Sequence, residues 1–345
     1  MSSLQDLILS LVDAGSREHY EDAALYDYEY RRRRVDVTFY RELARRLKPD
    51  APILDMGAGS GRLALPLARD GHPVVALDQS PAMLDRLRQR LQKAPAAVAC
   101  RIDPQMGDLR TFELGKRFDL AVAAFNVVEH LYTRVEMAAF LARVAEHLTP
   151  DGLLAFDVQM PDFRWLARDP ERRWARTRFT HPTTGKQIVY STNHDYDPVT
   201  QIALIRIYYE PVDGGPARVV KLSQRKFFPA ELEALLATSG FRIVERYGDF
   251  AGAELDGAAM SQVMVCKLAS SFPAPKRMPK GALAQAARRS EERSAEGSQR
   301  SAESKRGRNH PPSKKKLASV EKKSTPRRRG AKPTSKRPRS GGKQR

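Results

Sequence analysis

Ile53-Leu54-Asp55-Met56-Gly57-Ala58-Gly59-Ser60-Gly61 is the stretch that decides the fold. A short apolar run ends at an acid, passes through three alternate glycines and gives way to a helix. Glycine lets a backbone turn sharply and lets a ligand approach where a Cβ would stand. A nicotinamide-dinucleotide fingerprint would place glycines at 57, 59 and 62. Position 62 is Arg, so the pattern is D-x-G-x-G-x-G and does not suit a pyrophosphate.

Working outward, strands and helices alternate from 36 to 158. After Ile53-Leu54, further strands are predicted over 73–77, 98–102, 118–124 and 153–158, the last entered through the turn Thr149-Pro150-Asp151-Gly152. Continuous apolar strands separated by helices indicate a parallel sheet covered on both faces. Ser80 with Pro81 starts one helix, whose apolar stripe is Met83, Leu84, Leu87 and Leu91. Thr133 with Glu136 reads as a capping box for another. From about 160 to 227 the pattern changes to strands at 187–194, 202–209 and 219–224, punctuated by Asp197-Pro198 and Asp213-Gly214-Gly215-Pro216. This is an antiparallel insertion. A helix from Pro229 to Ser239-Gly240 and strands over 241–247 and 260–268 follow.

Acids recur at the predicted strand ends. Asp78 closes Val74-Val75-Ala76-Leu77 and lies 17 residues beyond Gly61, about one helix plus one strand. An acid there is placed to accept from ribose hydroxyls. Gly107-Asp108-Leu109 follows the third strand, and Phe118-Asp119-Leu120 leads to Phe125-Asn126. In an open α/β sheet ligands lie across the carboxyl ends of the strands, where these pieces gather.

The net charge of +19 is not evenly spread. Of 60 basic and 41 acidic residues, 24 and 5 fall in 271–345, so the first 270 are formally neutral. The last segment has no aromatic residue after Phe272 and is rich in Ser, Pro, Gly, Lys and Arg. It has too little apolar surface to offset the entropy of ordering, so it is expected to be disordered. Its Lys314-Lys315-Lys316 and Arg327-Arg328-Arg329 clusters suit non-specific contact with nucleic-acid phosphates. Cys100 and Cys266 have no metal spacing and read as two core cysteines of a reducing compartment. No signal peptide and no membrane span is predicted, and the expected location is cytoplasmic.

These segments resemble the class I S-adenosylmethionine (SAM)-dependent methyltransferases over roughly residues 20–268. The likeness is closest to the small-molecule group with glycine and sugar-amine N-methyltransferases. It extends to Ala124-Phe125-Asn126-Val127-Val128-Glu129-His130-Leu131, to Phe228-Pro229-Ala230-Glu231-Leu232, and to Tyr26-Asp27 and Asp36-Val37-Thr38-Phe39-Tyr40. The resemblance implies a doubly wound, mostly parallel seven-stranded α/β sheet with one antiparallel strand. It implies an N-terminal helical segment (1–35) over the cofactor and a methyltransferase domain (36–270), which the basic tail (271–345) follows.

Carried over residue by residue, Asp55, Gly57, Ala58, Gly59 and Gly61 would line the methionine portion of SAM, where a side chain at Gly57 would fill space the ligand needs. Asp78 would bind the ribose, with Gln79 and Met83 beside the adenine and Asp108 and Leu109 at its edge. Ala124 and His130 would close the pocket near the sulfonium, and Tyr26 and Arg34 would reach in from the N-terminal segment. Tyr190 and His194, in the insertion, are the candidates for acceptor contact or base.

The expected reaction is methyl transfer to N or O of a small molecule, with no metal. The Asn-Pro-Pro-aromatic motif of adenine and glutamine methylation is absent, since Val127-Val128 follow Asn126. The basic tail supports two other readings: an RNA or protein methyltransferase whose tail holds nucleic acid, and a non-enzymatic nucleic-acid-binding SAM sensor.

Overall fold

The computed structural model describes residues 4–269. Four helices come first: α1 (Leu4–Gly15), α2 (Glu18–Glu21), α3 (Ala23–Tyr30) and α4 (Val35–Arg45). Then follow β1 (Ile53–Met56), α5 (Ala64–Arg69), β2 (Val74–Asp78), α6 (Pro81–Gln92), α7 (Ala96–Ala99), β3 (Ile102–Met106) and β4 (Phe118–Ala123). A 3-10 turn at Val127–His130 precedes α8 (Arg134–His147) and β5 (Leu148–Gln159). The inserted part holds α9 (Phe163–Leu166), β6 (Trp174–Thr180), β7 (Gln187–Asp197), β8 (Ile202–Pro211) and β9 (Arg218–Arg225). The chain returns through α10 (Pro229–Thr238), β10 (Phe241–Tyr247) and β11 (Ser261–Leu268).

The main sheet has seven strands in the order β10-β11-β5-β4-β1-β2-β3. Every pairing from β5 to β3 is parallel, and β11 runs antiparallel to both its neighbours. Successive residues of one strand serve different cores. Leu54, Val75, Leu77, Ala121 and Phe156 pack with α8 and α10, whereas Ile53, Val74, Ala76, Leu120 and Val122 pack with α4, α5 and α6. That two-sided burial is why these strands read as unbroken apolar runs. The expected caps form: Ser80 accepts from Met83 N, and Thr133 and Glu136 make the reciprocal capping box.

Three expectations need correction. The third strand is β3 at Ile102–Met106, and part of the stretch expected to be strand is α7, entered behind Pro95. Residues 149–152 are not a turn before β5 but an interruption inside it: pairing with β4 jumps from Phe118–Leu148 to Leu120–Leu153. Cys100 is exposed at the end of α7, while Cys266 is buried in β11.

The insertion is a four-stranded antiparallel sheet, β6-β7-β8-β9, with β6 unanticipated. Its inner face (Ile188, Ile207, Tyr209, Val220) packs on Leu25 of α3. Helix α3 thus bridges the inserted sheet and the Gly-rich turn of the main sheet, through Glu29 and Asp27. Among the described residues no helix is long and apolar enough to cross a membrane. The basic segment 271–345, expected to be disordered, lies outside the described residues.

Candidate active site

The turn after β1 is built on left-handed glycines, with φ of +67° at Gly57, +56° at Gly59 and +81° at Gly61. Asp78, at the end of the neighbouring strand, closes over it: Oδ2 accepts from Gly59 N at 2.7 Å and Oδ1 from Ser80 N at 2.8 Å. Burial pushes the Asp78 carboxyl above its usual range against these backbone bonds. Asp55 is buried, its Oδ2 has no hydrogen-bond partner, and burial pushes its pKa up to about 7, opposed by Arg62 and aided by Asp78. Ala58 and Ala124 are buried on the core side of the same strand ends. A cradle of positive-φ glycines beside two desolvated acids, one with an orphaned oxygen, fits a ligand that brings hydroxyl and ammonium donors, as SAM does.

Around Asp78, Gln79 is exposed and Met83 is buried in α6. Asp108 holds Arg110 through backbone and guanidinium, and Arg110 bridges on to Glu136. Burial raises the Asp108 carboxyl, but Arg110 overrides it and the net shift is downward. Leu109 packs on the core beneath.

Across the strand ends lies an aromatic cluster. Tyr26 and Tyr30 are one helical turn apart on α3, with ring centroids 4.7 Å apart, and Tyr30 meets Phe125 edge-on at 4.9 Å. His19 and Tyr20 of α2 complete it, and Tyr20 Oη lies 2.6 Å from His130 Nε2. Burial pushes both His19 and His130 down to about 4, so both are neutral at pH 7. On its opposite faces α3 makes other bonds: Asp27 accepts from Ser60 of the Gly-rich turn and from Arg86, and Glu29 accepts from Tyr209 of the insertion.

Two sequence candidates land differently from expectation. Arg34 is exposed, whereas Arg33 lies over the Phe125 ring at 4.8 Å with its Nε buried and unpartnered. His194 stacks on Trp165 at 3.7 Å and its Nε2 donates to the Trp165 carbonyl at 2.8 Å, so its ring is committed locally. Tyr190 lies 5.9 Å from Tyr209, and burial lifts its phenol to about 12, with Glu29 adding to the rise. The group on that wall closest to neutrality is Glu29, which burial raises to about 7.

The segment 124–130 is held by two buried carboxylates. Asp157 of β5 accepts from Phe125 N at 2.8 Å, Asn126 N at 3.2 Å and Tyr40 Oη at 2.6 Å. Phe125 and Asn126 are both left-handed, with φ of +69° and +62°. Glu129 accepts from Gln159 N at 2.7 Å and pairs with Lys226 Nζ at 2.7 Å, and that ammonium also donates to Gln159 and Gln224. Tyr20 and Lys226 carry no sequence signal, because each joins the site from an element whose placement only the tertiary fold sets.

Comparison with known proteins points to the same family. Residues 53–152 match the family described as a methyltransferase domain. A dTDP-3-amino-3,4,6-trideoxy-alpha-D-glucopyranose N,N-dimethyltransferase of Streptomyces venezuelae is 30% identical over 167 residues, covering 46% of this chain and 67% of that protein. A dTDP-3-amino-3,6-dideoxy-alpha-D-glucopyranose N,N-dimethyltransferase of Streptomyces fradiae is 34% identical, covering 43% of this chain and 58% of that one. Among solved structures, the CcbJ methyltransferase from Streptomyces caelestis superimposes with a TM-score of 0.59 at 26% identity, covering 68% of this chain and 90% of that one.

Proposed function

The chain belongs to the class I SAM-dependent methyltransferases, and on that premise we propose that it methylates a nitrogen or oxygen of a small-molecule acceptor held between the strand ends and the N-terminal aromatic cluster. One observation carries the reading: α2 and α3 and the inserted sheet cover the ends of the parallel strands, so Tyr20 meets His130 and Tyr30 meets Phe125 in a half-buried aromatic cluster that Tyr26 joins. A covered, aromatic-lined site suits a small molecule better than a nucleic-acid strand.

When bound, SAM supplies a sulfonium-activated methyl group. In this reading Asp78 accepts from the ribose hydroxyls and Asp55 takes up the methionine ammonium with its unpartnered oxygen. Arg33, with its buried free donor, meets the methionine carboxylate. Tyr20, bonded to His130, orients the nucleophile. The chain's main contribution is alignment, which supplies about 7–11 kcal/mol at best. The two dTDP-sugar relatives are named for N,N-dimethylation of amino sugars, so sugar-borne amines are the first acceptors to try.

The test is S-adenosylhomocysteine formation by full-length protein over a panel of dTDP-linked amino sugars, simple amines and phenols, with RNA and protein in parallel. Turnover with a small acceptor is expected, reduced about tenfold or more in Tyr20→Phe, since one oriented hydrogen bond is lost. Product formed only with RNA or protein, while SAM still binds, overturns the proposal.

A further inference from the structure

We infer that the hydrogen-bonded series Tyr20–His130–Tyr132–Ser223–Val12 can run in one direction only, which makes Tyr132 and Ser223 positioning residues that hold His130 in its Nδ1–H form. The inference rests on the proposed placement of Tyr20 and His130 at the methyl-transfer site and adds what fixes their protons.

The direction follows from the far end. Ser223 is fully buried on β9, and its Oγ lies 2.8 Å from the Val12 carbonyl of α1. A carbonyl only accepts, and serine has one proton, so Ser223 donates to Val12. Tyr132 Oη lies 2.6 Å from the same Oγ and 3.3 Å from the Ser223 carbonyl. With the serine proton committed, Tyr132 must be the donor in both contacts. Its oxygen can then only accept from His130 Nδ1, at 3.1 Å. Nδ1 therefore carries the ring proton.

The ring has no second proton to give. His130 lies in a desolvated site near His19 and Lys226, and its pKa is held down near 4. Nε2 is then a bare lone pair, and Tyr20 donates to it across 2.6 Å. Burial keeps the Tyr20 phenol protonated. With its one proton given to His130, the Tyr20 oxygen can only accept from anything else. A nucleophile bonded to it must do so as an N–H or O–H donor, which leaves the nucleophile's own lone pair for the methyl carbon. The opposite tautomer would turn the Tyr20 proton outward, where it would compete for that lone pair.

The orienting device is assembled from distant parts of the chain. Val12 sits near the end of α1, Tyr132 just before α8, and Ser223 on the last strand of the insertion. Second partners of this kind commonly decide which imidazole nitrogen is protonated.

The experiment is long-range nitrogen–proton NMR of full-length protein labelled with 15N-histidine, His130 being assigned by loss of its signal in His130→Gln. Wild type should show Nδ1 protonated and Nε2 bare at pH 7. Tyr132→Phe should shift His130 toward Nε2–H and lower kcat about tenfold, the scale of one hydrogen bond, with SAM affinity within twofold of wild type. Ser223→Ala should do the same more weakly, because Tyr132 can still donate to the carbonyl of residue 223. An Nε2–H wild type, or a Tyr132→Phe protein with the wild-type tautomer, overturns the inference whatever the enzyme methylates. A wild-type Nδ1–H ring that shifts in Tyr132→Phe without loss of turnover overturns instead the placement of His130 at the methyl site.

Discussion

Replacing Asp78 with Asn preserves the side chain's shape while removing its charge. In the wild-type carboxylate both oxygens are occupied by backbone, Gly59 N at 2.7 Å and Ser80 N at 2.8 Å, and the ribose hydroxyls of SAM would share them. An amide has one oxygen, so one of those backbone donors would face an NH2 group instead. The lost interaction with an ionised acceptor is worth about 1.5–3 kcal/mol, which corresponds to roughly ten- to 150-fold in affinity. Burial adds a pH signature. The folded pKa of Asp78 lies above the ordinary carboxylate value, so wild-type affinity should begin to fall at a higher pH than an exposed Asp would allow as the solution is acidified. The amide variant should lose the part of that dependence due to Asp78 and keep the part due to Asp55, whose carboxyl burial raises to about 7. Calorimetric titration of S-adenosylhomocysteine into both proteins over a pH series, with circular dichroism to verify folding, provides the measurement. A folded Asp78→Asn protein that binds within twofold of wild type would remove Asp78 from the cofactor site.

Further outcomes follow from individual contacts. Gly57→Ala should lower the melting temperature of the unliganded protein, because the added Cβ would stand 2.4 Å from Val127 Cγ2 at a φ of +67°; the left-handed backbone alone costs about 1–2 kcal/mol. Arg33→Ala should weaken SAM binding about tenfold or more, on the scale of a charge-assisted bond, while Arg34→Ala should leave it unchanged; equal effects in direct titration would sink the distinction. Asp157→Asn sets an amide NH2 against Phe125 N or Asn126 N and releases the left-handed pair, so the melting temperature should fall by about 2–4 °C for each kcal/mol lost and kcat should drop more than SAM affinity. Removing 271–345 should abolish binding to duplex DNA and leave small-acceptor turnover intact, the full chain losing about 0.9 in the log–log salt slope per phosphate it neutralises. Undiminished DNA binding by the truncated chain would show that the folded surface is the binder.

The parallel sheet was legible because its signals are local. Apolar runs buried on both faces, the caps at Ser80 and Thr133, and acids at Asp55, Asp78 and Asp108 all sit within a few residues of the feature they report. The third strand was misplaced because Ala96-Ala97-Val98-Ala99 has weak strand character and Pro95 favours a helix start. β6 was missed because Trp174-Ala175-Arg176-Thr177-Arg178 is an exposed edge strand with little apolar alternation. At Gly57 the sequence suggests room for the ligand, but in the structure the place of a Cβ is taken by Val127. The roof of the site was least legible. Arg33 and Arg34 are chemically identical neighbours, and which one faces Phe125 depends on how the chain turns into α4. Tyr20 could not be paired with His130, 110 residues away, by any local pattern.

The union of α1 and α2 with β9 also orders events in time. Ser223 and Val12 are 211 residues apart in the chain, and Lys221 and Glu18 are 203 apart. At a synthesis rate of about 5–20 residues per second, roughly 10–40 s pass between emergence of the first partner and the second. Strands β1 to β5 can pair during that interval, but Leu25, Glu29 and the carbonyl of Val12 wait without their sheet. The helices translated earliest therefore dock among the last. Such long loop closures slow folding, and a ribosome that stalls before β9 would leave the aromatic roof of the site unanchored on a nascent chain, a target for chaperones and proteases alike.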